Sequence, residues 1–161
     1  MKKFVFTLLL VFVCHLGYAQ SINGLFNEFG SEKNADCVKV SSFMMSLGKM
    51  VAGHDEDAEI IRKIKSIKVL DLESCTASVK ERFSKKVNRL SLKGYDELMR
   101  VNDEGEKVRV LMKTKKETIR ELLFVCTGKE DCTLVQINGK FTKEDIDKLV
   151  NQETKKKHGR R

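Results

Sequence analysis

The hydrophobic pattern changes period at Gly94, and that change limits the fold more than any other feature of the chain. Before it, apolar residues recur every three or four positions, as in Ile22, Leu25, Phe26 and Phe29, and again in Val79, Phe83, Val87 and Leu90. This spacing places them on one face of a helix. After Gly94, Val108, Val110 and Met112 alternate with Arg109, Leu111 and Lys113, the two-residue period of a strand with one face on a core. Helices followed by a run of strands predict an α+β domain rather than a repeating βαβ fold.

The elements follow from these periods. Helices are expected over 22–29, over 43–51 after the cap Ser42, and over 76–92, with Gly94 as the stop. An amphipathic stretch covers 60–64. Strands are expected over 36–41 and 67–72, then over 95–101, 107–114, 118–126 and 132–138. The turn Asn102-Asp103-Glu104-Gly105 joins the first two of the last four. Thr142 opens a closing helix, with Asp145 three residues on as a variant capping box and Ile146, Leu149 and Val150 facing inward. The predicted architecture is a two-layer sandwich: a mainly antiparallel sheet ending in a four-stranded meander, with helices packed on one face. The chain contains no proline, and no linker or internal repeat divides it.

The two ends read differently from this body. Lys2 and Lys3, the apolar run 4–13 and the small residues Gly17 and Ala19 have the form of a secretory signal peptide cleaved between Ala19 and Gln20. Residues 4–20 barely reach the length of a bilayer span and are interrupted by His15, Gly17 and Gln20, so a membrane anchor is the weaker reading. At the other end, Lys155, Lys156, Lys157, Arg160 and Arg161 stand without an acidic neighbour. Such a tail is expected to be solvated and disordered, with electrostatic contact to an anionic surface or acidic partner as its alternative. The formal net charge of +8 therefore belongs mostly to the ends, and residues 20–154, the single expected domain, carry 24 basic and 23 acidic residues. Nothing in that balance calls for nucleic acid.

Within the domain the cysteines are Cys37, Cys75, Cys126 and Cys132. An even number in an exported chain suits disulfides. Cys126 and Cys132 flank a short loop between two strands and are expected to face each other, which leaves Cys37 and Cys75 as the second pair; buried free thiols are the alternative. Metal spacing is absent, and no cofactor is expected. The run His54-Asp55-Glu56-Asp57 with Glu59 lacks the ligand order and central glycine of a calcium loop and reads as a solvated acidic loop. Asp71 and Glu73, and Asp96 and Glu97, lie near strand ends without a topology that brings them together. No phosphate-binding glycine motif, nucleophile elbow or zinc-protease helix is present. Phe43, Met44, Met45 and Met50 have the spacing of a buried helix face, the expected role, while a partly exposed face of this kind would form a binding groove.

Leu25-Phe26-Asn27-Glu28-Phe29, the strand and Met-rich helix from Val38 to Met45, the strand over 67–72, Tyr95-Asp96-Glu97-Leu98-Met99, Asp103-Glu104-Gly105 and Gln136-Ile137-Asn138-Gly139-Lys140-Phe141 occur in an order and spacing that resembles domain-of-unknown-function family 4252. The resemblance spans about residues 25–150. It implies an exported protein of Bacteroidetes bacteria, in the periplasm or cell envelope or secreted, and carries no activity or site residues with it. The expectation is a non-enzymatic binding domain whose partner is another envelope protein or an anionic surface polymer. An envelope hydrolase or metal-dependent enzyme at His54 and Asp55, and an envelope sensor acting through the cysteines, are the alternatives.

Overall fold

A computed structural model describes residues 21–51, 56–90, 92–103 and 105–148. Ser21 starts the first helix, α1 (Ile22–Phe29): its side-chain oxygen accepts the Gly24 N–H at 3.0 Å, satisfying one of the otherwise unpaired amides of the first turn. Strand β1 (Asp36–Val40) leads into α2 (Ser42–Val51), and α3 (Glu56–Lys63) runs directly into β2 (Ile64–Asp71). Then come α4 (Ala77–Asn88), β3 (Asp96–Asp103), β4 (Glu106–Lys115), β5 (Thr118–Thr127) and β6 (Cys132–Phe141). A helical segment over 143–148 ends the described chain.

All six strands form one antiparallel sheet in the order β1-β2-β6-β5-β4-β3. The last four are the expected meander. β1 and β2 extend it because β2 pairs with β6, placing Leu70 opposite Leu134 and Ile67 opposite Ile137. The result is an α+β domain.

Its main core lies between the sheet and the α1–α4 pair. Leu25, Phe26 and Phe29 of α1 and Phe83 and Val87 of α4 meet Leu70, Leu111, Leu123, Val125 and Leu134 of the sheet. The helices are fixed to each other by the edge-to-face contact of Phe29 and Phe83, with centroids 5.2 Å apart, and by the Lys86–Glu28 ion pair at 2.6 Å. A second, smaller cluster lies on the opposite face: Ile60 of α3, Ile119, Leu122 and Phe141, with Ile146 of the 143–148 segment against it. Leu122 and Leu123 are consecutive in β5 and serve the two clusters in turn, as strand geometry requires. The principal helical layer thus covers one face, and a partial layer covers one end of the other.

Two glycines do specific work here. Gly105 has φ of 92° in the turn between β3 and β4, a left-handed backbone that favours glycine. Gly139 lets backbone and ring close in: a Cβ there would lie 2.5 Å from the Phe141 ring and 2.7 Å from the Lys63 carbonyl oxygen.

Candidate interaction surface

Strand alternation divides the sheet into two chemically different faces. On the face away from α1 and α4, the cross-strand register aligns Met99, Val110, Phe124, Val135, Val69 and Val38, one from each strand, in an unbroken apolar row across the sheet. On one side of it run Val101, Val108, Cys126, Thr133, Asp71 and Asp36; on the other, Asp96, Met112, Leu122, Ile137, Ile67 and Val40. The second of these flanking rows lies under α3 and the 143–148 segment. The central row is exposed at its two edges and at Phe124: Val38 is 56% exposed, Met99 49% and Phe124 37%, while Val69 and Val135 are half-buried and Val110 is buried. An apolar row left in water on an antiparallel sheet marks a contact surface more readily than scattered single residues do.

Charge is sorted between the faces as well. None of these three rows contains Lys or Arg; their charged members are Asp36, Asp71 and Asp96. Four cations of the same strands make their contacts on the other side. Lys68 lies 5.7 Å from the Phe26 ring centre, Lys113 lies 5.4 Å from that of Tyr95, and Arg109 and Arg100 pair with Glu97 at 2.8 and 2.7 Å. The bonds from Arg100 and Arg109 hold the Glu97 carboxyl well below its ordinary value, at about 2. Also on that face, the Tyr95 hydroxyl and the Gln136 amide both donate to Glu121 Oε1 at 2.6 Å, and burial and then Glu121 push the Tyr95 hydroxyl upward.

Along its outer side the open face is bordered by carboxylates in two like-charged cross-strand pairs, Asp36 opposite Asp71 and Asp103 opposite Glu106. Like charges directly opposed on a sheet cost stability. Asp103 and Glu106 also line a cleft with Lys129 and Glu130. Burial raises the pKa of the Cys126 thiol, and Glu106 and Asp131 add to it.

The fate of the other expected site residues can be read from the same geometry. The helix face of Phe43 and Met44 is not core: they are 72% and 56% exposed on α2. The reason is orientation: α2 lies against β2 and α3, and Phe43 and Met44 are on its solvent side. The expected Cys126–Cys132 bridge is absent. The hairpin forms, but its register pairs Cys126 with Thr133 and Thr127 with Cys132, and this one-residue offset sends the two thiols to opposite faces. Cys132 is fully buried in the main core, and Cys37 and Cys75 are also free thiols. Burial, above all, pushes the Cys75 thiol up, away from the reactive thiolate that redox sensing uses. Asp71 and Asp96 lie on strands separated by β6, β5 and β4, so they share no site; Asp71 instead accepts the Glu73 N–H at 2.8 Å. Glu59 pairs with Lys63 at 3.4 Å. His54 and Asp55, the signal segment with Ala19 and Gln20, and the basic residues Lys155, Lys156, Lys157, Arg160 and Arg161 lie outside the described residues.

Among the described residues no group of His, Cys, Asp and Glu is disposed to hold a metal, and no helix is long and apolar enough to cross a membrane. The apolar row itself had a signal in the sequence. Val108 to Met112 and Leu122 to Val125 each contain adjacent apolar residues rather than strict alternation, the mark of strands that present apolar side chains on both faces.

No curated protein and no solved structure matches the chain. Residues 29–149 match a family described as a domain of unknown function, DUF4252, and this range contains the six strands, α2, α3 and α4, so that the open apolar face is built wholly from family sequence and the chain belongs to that family.

Proposed function

We propose that this protein is an exported, non-enzymatic binding domain of the cell envelope and that the open sheet face is its binding surface. The observation that carries this reading is the apolar row from Met99 to Val38, continuous over six strands and left in water at both edges and at Phe124. A surface of this kind costs solubility and invites aggregation unless a partner covers it. Export is supported by the charged, apolar and small-residue order of residues 1–19, with Gln20 as the first residue of the mature chain. Phe43 and Met44, exposed on α2, add adaptable apolar surface to the same molecule.

Photo-crosslinking in the producing cells tests this directly. A photoreactive residue at Val38 or Met99 is expected to give a discrete adduct with another envelope protein, while the same residue at Lys85, exposed on α4, gives none. Equal labelling from all three positions, or none from any, would remove the open face as the binding surface. Intact mass of the chain recovered from the envelope fraction is expected to begin at Gln20; a full-length mass in the cytosolic fraction would remove the exported reading.

A further inference from the structure

We propose, on the basis that the open face is the binding surface, that its occupant is a cationic amphipathic helix of a partner protein. Such a helix would be apolar along one side and carry Lys or Arg near both ends. The argument is complementarity in length and in charge. The row crosses five strand spacings, roughly 24 Å at about 4.8 Å each, which is the length of about 16 helical residues. The main-core face of this same sheet is already covered by helices, and α3 with the 143–148 segment covers one end of the open face. A helix laid along the row completes the second layer.

The charge pattern determines what else that helix carries. Lys68, Arg100, Arg109 and Lys113 make their contacts on the opposite face, and the three open rows hold carboxylates alone among charged groups. The pairs Asp36/Asp71 and Asp103/Glu106 stand toward the two ends of the strip, about four strand spacings or roughly 19 Å apart, the rise of about 13 helical residues. Each pair sets two carboxylates directly opposite each other on neighbouring strands, an arrangement that costs stability in the free protein, most at Asp36/Asp71, since Lys129 already lines the cleft beside Asp103 and Glu106. A cation placed between them relieves that repulsion, so the cost becomes part of the affinity for a basic partner and a barrier to an acidic one. The same charges disfavour an anionic polymer on this face.

The test uses the protein in the form isolated from cells, titrated into a labelled 18-residue helical peptide with leucines along one side and two lysines at each end. The control peptide has glutamates for the lysines. The lysine peptide is expected to bind about tenfold or more tightly than the glutamate peptide at low salt, and the difference is expected to shrink as salt is raised. Two variants at exposed positions, Val38→Lys and Met99→Lys, are each expected to weaken binding about tenfold with unchanged circular dichroism and melting. Asp36→Asn with Glu106→Gln is expected to lower the salt dependence while retaining weakened binding. If both peptides bind equally and Val38→Lys weakens both, the face is a binding surface and the cationic occupant is wrong. If neither peptide binds and the Val38 and Met99 positions give no adduct in cells, both readings fail. A dimer in sedimentation equilibrium that Met99→Lys dissociates would make the occupant a second copy and overturn the proposal. Carbodiimide crosslinks within one chain between Lys155–Lys157 and Asp36 or Asp71 would make it the chain's own C-terminal segment, with the same consequence.

Discussion

At the scale of single residues, the positions that hold this fold are those where one atom more or less has nowhere to go. Gly139 is the clearest. It sits in β6 where the strand passes the Lys63 carbonyl, with the Phe141 ring folded back over it, and an added methyl would meet both at 2.5 to 2.7 Å. The ring could turn aside only by giving up its place in the cluster with Ile60, Ile119 and Leu122, and the carbonyl belongs to backbone at the junction of α3 and β2. Gly139→Ala is therefore expected to destabilise the protein by about 2 kcal/mol, the cost of overpacking a tight site. Urea denaturation checks this, and a midpoint equal to that of the parent protein would show that the junction yields freely. The same scale explains the cysteines. A shift of one residue in the β5–β6 register decides whether Cys126 and Cys132 meet or part, and the spacing of cysteines along a sequence does not encode that shift.

Whole elements were more legible than such single positions. The four strands after Gly94 appear where their alternation places them, each within about three residues of its expected ends. The capping box at Thr142, where Asp145 Oδ2 accepts the Thr142 N–H at 2.8 Å and Thr142 Oγ1 accepts the Asp145 N–H at 3.3 Å, rests on local chemistry of the same kind, whereas the cap of α2 is Ser41, whose Oγ accepts the Met44 N–H at 3.5 Å, and not the expected Ser42. What could not be read locally was which apolar faces find a partner. Phe43 and Met44 have core spacing but stand on the solvent side of a helix whose neighbours are β2 and α3, and the open row exists only once β2 pairs with β6, a contact between residues some 70 positions apart. Helix α4 stops at Asn88, short of the expected 92. The β4–β5 turn offers a test at this scale. Lys116 and Glu117 have φ of 49° and 61°, so both central residues of this two-residue hairpin loop are left-handed, a conformation Asn-Gly adopts far more readily. Lys116→Asn combined with Glu117→Gly is expected to stabilise the protein by about 1 kcal/mol, seen as a higher melting temperature. A lower one would mean that the side chains, rather than the backbone, determine that turn.

For the molecule as a whole, the sheet is held by two helical layers of unequal strength, and their linkage to pH differs. The α1–α4 layer is secured chiefly by apolar burial, which pH leaves alone, and its half-exposed Lys86–Glu28 pair adds little. The partial layer combines its small apolar cluster with one ion pair: Lys63 at the end of α3 donates to Asp145 at 2.6 Å and so ties α3 to the start of the 143–148 segment. Asp145 is 3% exposed. Burial works against its charge, yet the bonds from Lys63 and Thr142 outweigh that and hold its carboxyl below the ordinary aspartate range. A depressed folded pKa means that the stabilisation is fully present above the unfolded value, about pH 4, and is lost as pH falls through the lower folded value. Asp145→Ala removes both the cap and the charge partner and is expected to cost about 2 to 3 kcal/mol at pH 7. That cost should shrink steadily below about pH 4, where the parent protein's own aspartate takes up a proton. Urea unfolding of the two proteins at pH 7 and pH 3 measures the convergence. A gap that stays constant would place the role of Asp145 in packing rather than in charge, and the partial layer beside the open face would then be as indifferent to pH as the main core.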